Sequence, residues 1–400
     1  MKAVFVHDHR FYTVPSGAVY SPGKLSYRAW ARYLKEFDEL VVVGRSGLAT
    51  EEQAAGLNLS SGDRVSFVFV PNLAGAASWF RHRAGVIAVL RREIAKADAV
   101  VARTSLLGEM AASLAREMGK PCAVEVVGCP WDSYWNYGGP VGKLVAPIVW
   151  WKTRRWLAKA EFAIYVTNEF LQRRYPCPGF CAHASNVEIR PVDPGVLAGK
   201  MARWLAVPPG VADPLRVGLI GSISHRYKGL HVALEAMRSL AGRGLNVHLH
   251  VLGEGGMDKW RRAADRLGLG NALHLHGSLP GGEPVMQWLD TLDLYIQPSL
   301  QEGLPRALIE AMSRGLPALG SSCGGIPELL QAECLHRPGD WRTLAEQWAR
   351  MMRDPVWRGQ QAERNFREAR KYYPDQVGAQ RDAFWSRFAA VAQKPIRMVP

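Results

Sequence analysis

Two carboxylates, Glu302 and Glu310, stand with seven residues between them in the segment QPSLQEGLPRALIEAMSRGLPALGSSCGGIPE at 297–328. Between them Gly303-Leu304-Pro305 leads into a helix, and Pro305 suits an early helical position because its missing N–H costs nothing there. Backbone N–H groups at such a helix start converge on whatever lies above them, which makes an anion site. Glu302 falls in the strand-to-helix loop and Glu310 about two turns along. At ~100° per residue, eight residues return to within ~80° of one face, so both carboxylates can border one ligand. Glu310 has a second reading, a helical ion pair with Arg306 or Arg314. His7-Asp8-His9 ends the first apolar run and is expected to face a cleft; a His-x-His metal site lacks further ligands, as does the pair Cys177 and Cys181. Gly253-x-Gly255 lacks the third glycine of a dinucleotide fingerprint.

The elements that must hold these residues alternate between strand and helix. Apolar runs at 3–6, 40–43, 67–70, 99–102, 123–127, 162–166 and 185–187 read as strands separated by helical stretches. Residues 190–214 are richer in Pro and Gly and read as an interdomain crossing. Alternation restarts with strands at 216–220, 247–252, 272–276, 292–297 and 316–319. This implies an α/β protein of two tandem Rossmann-like domains with a deep cleft between them. The expected boundaries are 1–195, 196–374 and a C-terminal helical segment 375–400 returning to the first domain. Ligands of such sheets sit at the carboxyl ends of the strands.

Composition narrows the classes. The 400 residues are 48% hydrophobic and 22% charged, which excludes a mostly disordered chain. No apolar run reaches the roughly 20 residues of a membrane span. Six cysteines in this length suit a reducing compartment better than a disulfide framework. The net charge is +14. Residues 1–195 carry 24 Lys/Arg and 17 Asp/Glu, net +7, and the remainder carries the other +7. An even split argues against a single nucleic-acid face, and no nucleic-acid module is present. One stretch stands out: 143–160 holds Lys143, Lys152, Arg154, Arg155 and Lys159 without an acid, interleaved with Trp150, Trp151 and Trp156. A helix bearing Trp150, Trp151, Arg154 and Arg155 suits the headgroup layer of an anionic membrane; the alternative is a packed helix whose basic side chains reach out to water.

The 297–328 segment resembles the signature of retaining glycosyltransferases of the GT-B fold, in particular glycosyltransferase family 4. The matching residues are Pro298-Ser299, Glu302-Gly303-x-Pro305, Glu310-Ala311-Met312, Gly315-x-Pro317 and Gly324-Gly325-Ile326-Pro327-Glu328. Supporting matches are Gly221, Lys228-Gly229, Leu252-Gly253-x-Gly255, His276-Gly277, Asp293 and Pro338-Gly339-Asp340. The resemblance implies that Glu310 holds the ribose of a nucleotide-sugar, UDP- or GDP-linked. It implies that Glu302 and the backbone of Gly303 and Leu304 meet the donor sugar and phosphates, and that Lys228 neutralises the departing diphosphate. Gly221, Gly277 and Ser278 would complete the donor pocket. With no Asp-x-Asp motif, no metal or other cofactor is expected.

Two departures qualify the match. Ser222 stands where the family commonly has arginine, leaving Arg226 as the nearest one. Asp132 stands nearest to where related enzymes have a histidine facing the donor sugar. His7, Gly17 and Asp132 are the acceptor-side candidates. The implied function is retaining transfer of a sugar to a carbohydrate or lipid-linked saccharide acceptor. It would serve cell-surface polysaccharide or glycolipid assembly in the cytoplasm or at the inner membrane face. The rivals are a nucleotide-sugar epimerase of the same architecture and a non-catalytic binding protein built on a degenerate transferase.

Overall fold

Short runs of Val, Ile, Leu and Ala bounded by polar turns form strands buried on both faces, the pattern that parallel sheets require. A computed structural model describes residues 1–23, 25–73, 75–137, 139–187, 189–206 and 214–393. Gly138, and Pro208, Pro209 and Gly210 of the crossing segment, lie outside the described residues. The first sheet comprises β1 (Lys2–Thr13), β2 (Val19–Ser21), β3 (Glu39–Leu48), β4 (Asn58–Leu59), β5 (Val65–Val70), β6 (Ala99–Arg103), β7 (Cys122–Val126), β8 (Phe162–Tyr165) and β9 (Phe180–His183). Its parallel core runs β5-β3-β1-β6-β7-β8-β9; β2 pairs antiparallel with the far end of β1, past the β6 pairing, and β4 pairs antiparallel with β2.

The second sheet comprises β10 (Leu215–Ile220), β11 (Val247–Leu252), β12 (Leu273–Leu275), β13 (Leu294–Gln297), β14 (Ala318–Ser321) and β15 (Leu335–His336), in the order β12-β11-β10-β13-β14-β15. Every pairing in it is parallel. The order reverses between β10 and β13. Connections leaving these two neighbours cover opposite faces, and a crevice opens beyond their carboxyl ends.

Three sequence expectations change. β1 does not stop at Val6: it pairs with β6 over Ala3–Val6, then continues along β3 to Thr13 after a register shift. Pairing of Arg10–Thr13 with Arg45–Leu48 of β3, with Phe11 buried, sustains the strand through a stretch whose polarity reads as a loop. The last strand of the first sheet is Phe180–His183, and 185–187 is irregular. Residues 190–214 are not merely a crossing, for Gly195–Ala206 is helical. Its Lys200 and Trp204 are buried on the second lobe, where Lys200 Nζ donates to the Leu292 carbonyl (3.0 Å) and the Trp204 indole to Asp293 (3.1 Å).

The helix Pro374–Ala392 lies on the first lobe. Phe384, Trp385 and Phe388 share one helical face and are fully buried. Trp385 meets Tyr33 edge-on at 4.9 Å, and Phe388 meets Phe162 at 5.3 Å. Each such side chain stabilises by roughly 1.5–3 kcal/mol, so the C-terminal segment ties the two lobes together.

Candidate functional site

The crevice at the β10–β13 boundary is built from three segments. β13 ends at Gln297 and runs into 298–305, and the helix Arg306–Ser313 follows. β10 ends at Ile220 and runs through Gly221 to the short 3-10 turn Arg226–Lys228. Glu302 Oε1 gathers three donors: Lys228 Nζ at 2.7 Å, Gln297 Nε2 at 2.9 Å and Ser299 Oγ at 2.8 Å. Gln297 and Ser299 have no exposed surface, and Tyr295 Oη donates to Gln297 Oε1 (2.8 Å), so the sheet itself aims this carboxylate. Burial alone would lower the Lys228 pKa; the adjacent Glu302 charge outweighs it and holds the ammonium above the usual lysine range. An ammonium has three N–H donors, so with one given to Glu302 the group can still bind an incoming oxyanion.

Two glycines make this approach sterically feasible. Gly221 has φ +153°, and a Cβ there would come within 2.7 Å of Cε of Lys228, whose stem crosses it. Gly229, at φ +77°, would place a Cβ 1.8 Å from the Pro298 carbonyl. Both are needed for the lysine to lie against the β13 loop.

The other donor-side candidates take these places. Leu304 is buried, and Gly303 packs against the first lobe with the Val127 carbonyl 2.7 Å from where its Cβ would be. Pro305 starts the helix with no side-chain cap, so its first N–H groups are left to the cleft side. Glu310 is half-buried on the same helix. Arg314 is engaged with Asp290, its Nε donating at 2.8 Å. Ser222 and Arg226 are exposed, and Ser222 Oγ reaches Ser224 Oγ at 3.3 Å. Gly277 follows β12 and accepts from the Gly253 N–H at 2.7 Å, which sets Gly277 and the exposed Ser278 beside the end of β11.

From the first lobe, the helix Pro130–Tyr137 forms the opposing wall. Asn136 Nδ2 donates to the Leu300 carbonyl (3.4 Å) and to Gln301 Oε1 (3.0 Å), and the Tyr137 ring lies 5.1 Å from both His225 and Tyr227. Asp132, in the first turn, faces Arg174 at 3.4 Å. Burial raises its pKa and Arg174 opposes the rise. The Cys323 thiol donates to the Ser299 carbonyl (3.2 Å) and is pushed up to about 12 by burial, with Glu302 and Asp132 adding to the rise and Lys228 opposing it. Asn136 and Tyr137 of the first lobe and Cys323 of the second therefore meet the 225–228 and 299–302 segments directly.

The first-lobe candidates His7 and Gly17 lie apart from each other. His7 is not a strand end, yet it lies where β6 stops, and the next amide, Asp8 N–H, reaches Ser105 Oγ (3.2 Å). Burial lowers the His7 pKa well below the usual imidazole range, so the ring is neutral. Gly17 is in the turn of the β1–β2 hairpin, beyond six further strand residues, roughly 20 Å of strand from His7. The length of β1 separates them. Trp150 is also misplaced as a surface contact: it is half-buried, edge-on to Trp131 at 6.4 Å, with Arg154 over it at 5.5 Å. Trp151, Arg154 and Arg155 are exposed.

The sequence gives no hint of Asn136, Tyr137 or Cys323 as cleft groups. Glu328 is visible in its motif but not its task. Its carboxylate accepts from the backbone N–H groups of Asn168 (2.6 Å), Glu169 (3.1 Å) and Phe170 (2.8 Å), capping a first-lobe helix from the second lobe. Glu328→Ala is expected to speed amide exchange at 168–170 by about ten- to a hundred-fold, the equivalent of losing about 1–3 kcal/mol of charged hydrogen bonding. Unchanged exchange by mass spectrometry would refute a cross-lobe clamp.

Among the described residues no group of three or more His, Cys, Asp and Glu could hold a metal ion. A profile of the family described as Glycosyl transferases group 1 matches residues 214–354. Protein CapJ of Staphylococcus aureus is 32% identical over 342 residues, 85% of this chain and 83% of CapJ. The putative colanic acid biosynthesis glycosyltransferase WcaL of Escherichia coli K12 is 34% identical over 148 residues, covering 34% and 36% of the two chains. The structure of Anabaena Alr3699/HepE in complex with UDP-glucose superposes with a TM-score of 0.65 at 16% identity, covering 98% of this chain and all of that one. The architecture is GT-B.

Proposed function

The chain belongs to the group 1 glycosyl transferases, and from that premise we propose that it is a retaining, metal-independent transferase of family 4 type. It would use a UDP- or GDP-linked sugar and act in cell-surface polysaccharide assembly at the cytoplasmic face. The observation that carries this reading is the Lys228–Glu302 pair at the carboxyl ends of β10 and β13 (2.7 Å). A nucleoside diphosphate is a dianionic leaving group, and its developing charge is stabilised by a preset cation and by N–H donors. Lys228 supplies the first, and the open start of the Arg306–Ser313 helix supplies the second.

In this reading Glu310 holds the ribose hydroxyls, Gly277 and Ser278 flank the base, and Gly221, Ser222 and Arg226 border the phosphates. Glu302 positions both the lysine and the sugar. The acceptor oxygen bonds to the anomeric carbon on the face from which the phosphate oxygen leaves. The acceptor proton passes to that phosphate oxygen, so no protein nucleophile is needed. Asp132 and His7 lie on the first-lobe side, where the acceptor enters. The UDP-glucose held by HepE and the polysaccharide role named for WcaL support the donor and the setting.

A thermal-shift screen with UDP-, GDP-, ADP- and TDP-sugars tests this. One donor class is expected to stabilise the protein, by about 2.7 kcal/mol at a hundred times its Kd, and Glu310→Ala to lose most of that shift. An equal shift in Glu310→Ala would sink the ribose assignment. Release of a free epimerised sugar would replace transfer by epimerisation.

A further inference from the structure

We infer that the helical hairpin formed by Pro130–Tyr137 and Gly139–Leu157 docks the protein on an anionic bilayer surface. The inference deepens the proposed function, since it rests on a transferase whose acceptor is held at a membrane. Among the described residues thirteen large apolar side chains are exposed, and seven lie on this one hairpin. Four of them, Val141, Leu144, Ile148 and Trp151, are 51–77% exposed. Their spacing of three, four and three residues forms one stripe along the helix. The opposite face, with Gly142, Ala146, Thr153 and Leu157, is buried on the protein, so the stripe cannot turn inward. A stripe this apolar on an otherwise polar surface marks a contact site.

Charge selects the partner. The stripe continues toward the C-terminus as exposed Lys152, Arg155 and Lys159, and 139–160 holds no acid. Arg155 sits over Trp151 at 4.7 Å, and Lys143 over the exposed Trp135 at 5.7 Å. Indoles with adjacent cations fit the headgroup layer, where the ring is half immersed and the cation meets phosphate. A second copy of the same stripe would bring like charges together with no acid to pair them. No helix among the described residues is long and apolar enough to cross a membrane, so the hairpin lies on the surface. Its inner end is Tyr137, whose ring touches His225 and Tyr227 beside Lys228. Docking therefore brings the cleft mouth to the headgroup plane, where a lipid-linked acceptor presents its sugar.

Co-sedimentation at low salt with vesicles of phosphatidylglycerol and phosphatidylcholine, against pure phosphatidylcholine, tests this. The wild type is expected to bind the anionic vesicles and to be released by 1 M salt, where screening shortens to about 3 Å. Lys152→Glu/Arg155→Glu should bind them on the order of a hundred-fold less, and Leu144→Glu/Ile148→Glu should lose binding to a similar degree. Both variants should keep the wild-type thermal shift with UDP, which separates lost docking from lost folding. Wild-type protein that ignores anionic vesicles, or variants that bind as it does, would overturn the inference. So would a wild-type dimer in light scattering that the variants dissolve. Loss of the UDP shift with vesicle binding intact would instead count against the donor site alone.

Discussion

Lys228→Ala is expected to lower kcat for sugar transfer by about 10²–10³, the usual cost of deleting one preset charge stabiliser of a leaving oxyanion. The lysine is 16% exposed and Glu302 10%, so little water is available to replace the ammonium. Two effects separate in the measurement. Loss of the cation weakens stabilisation of the diphosphate as charge develops. Loss of the pair also leaves Glu302 buried with only Gln297 and Ser299 as donors, which costs up to about 3 kcal/mol of stability. Glu302→Gln distinguishes them: the ammonium stays, but it loses the charge that raises its pKa. A Lys228→Ala enzyme with wild-type kcat at saturating donor would remove the lysine from the site.

Stability should fall as pH drops from 7 to 5, with the loss borne by buried neutral histidines. Burial lowers the His250 pKa to about 3, and Arg216 with His274, His276 and His248 adds repulsion. Burial lowers His336 to about 4, against which Asp340 pulls upward. The unfolded chain binds protons near pH 6.5 and the folded chain does not, so below that pH the unfolded state holds more protons and stability declines with acidity. Each ring contributes stability that is present above 6.5 and lost progressively toward its folded value. With 7% and 3% exposure, His250 and His336 should each cost about 2 kcal/mol between pH 7 and 5. His250→Asn should flatten that slope in denaturant titrations; an unchanged slope would remove His250 from the account.

How much of this was legible depended on the range of the interaction. The loop and helix around Glu302 could be read because strand, Gly-x-Pro and helix are local signals. Parallel α/β alternation was equally local. The helix Gly195–Ala206 was obscured because flanking prolines and glycines outweighed its apolar spacing, and only Trp204 and Lys200 seated on the second lobe reveal it. The full length of β1 was hidden because its second half is held by long-range pairing with β3 rather than by propensity.

The residue types and spacing alone determined that one strand-loop-helix segment would carry two carboxylates around a helix start, because that geometry is set within a dozen residues. They also determined the even spread of charge. Only tertiary structure decided that Lys228, 74 residues earlier in the chain, bonds Glu302. It alone decided that Glu328 caps a helix of the other lobe, and that Trp150 turns inward while Trp151 turns out. Those outcomes depend on which faces meet, and a face is chosen by the burial of distant partners, which no local pattern contains.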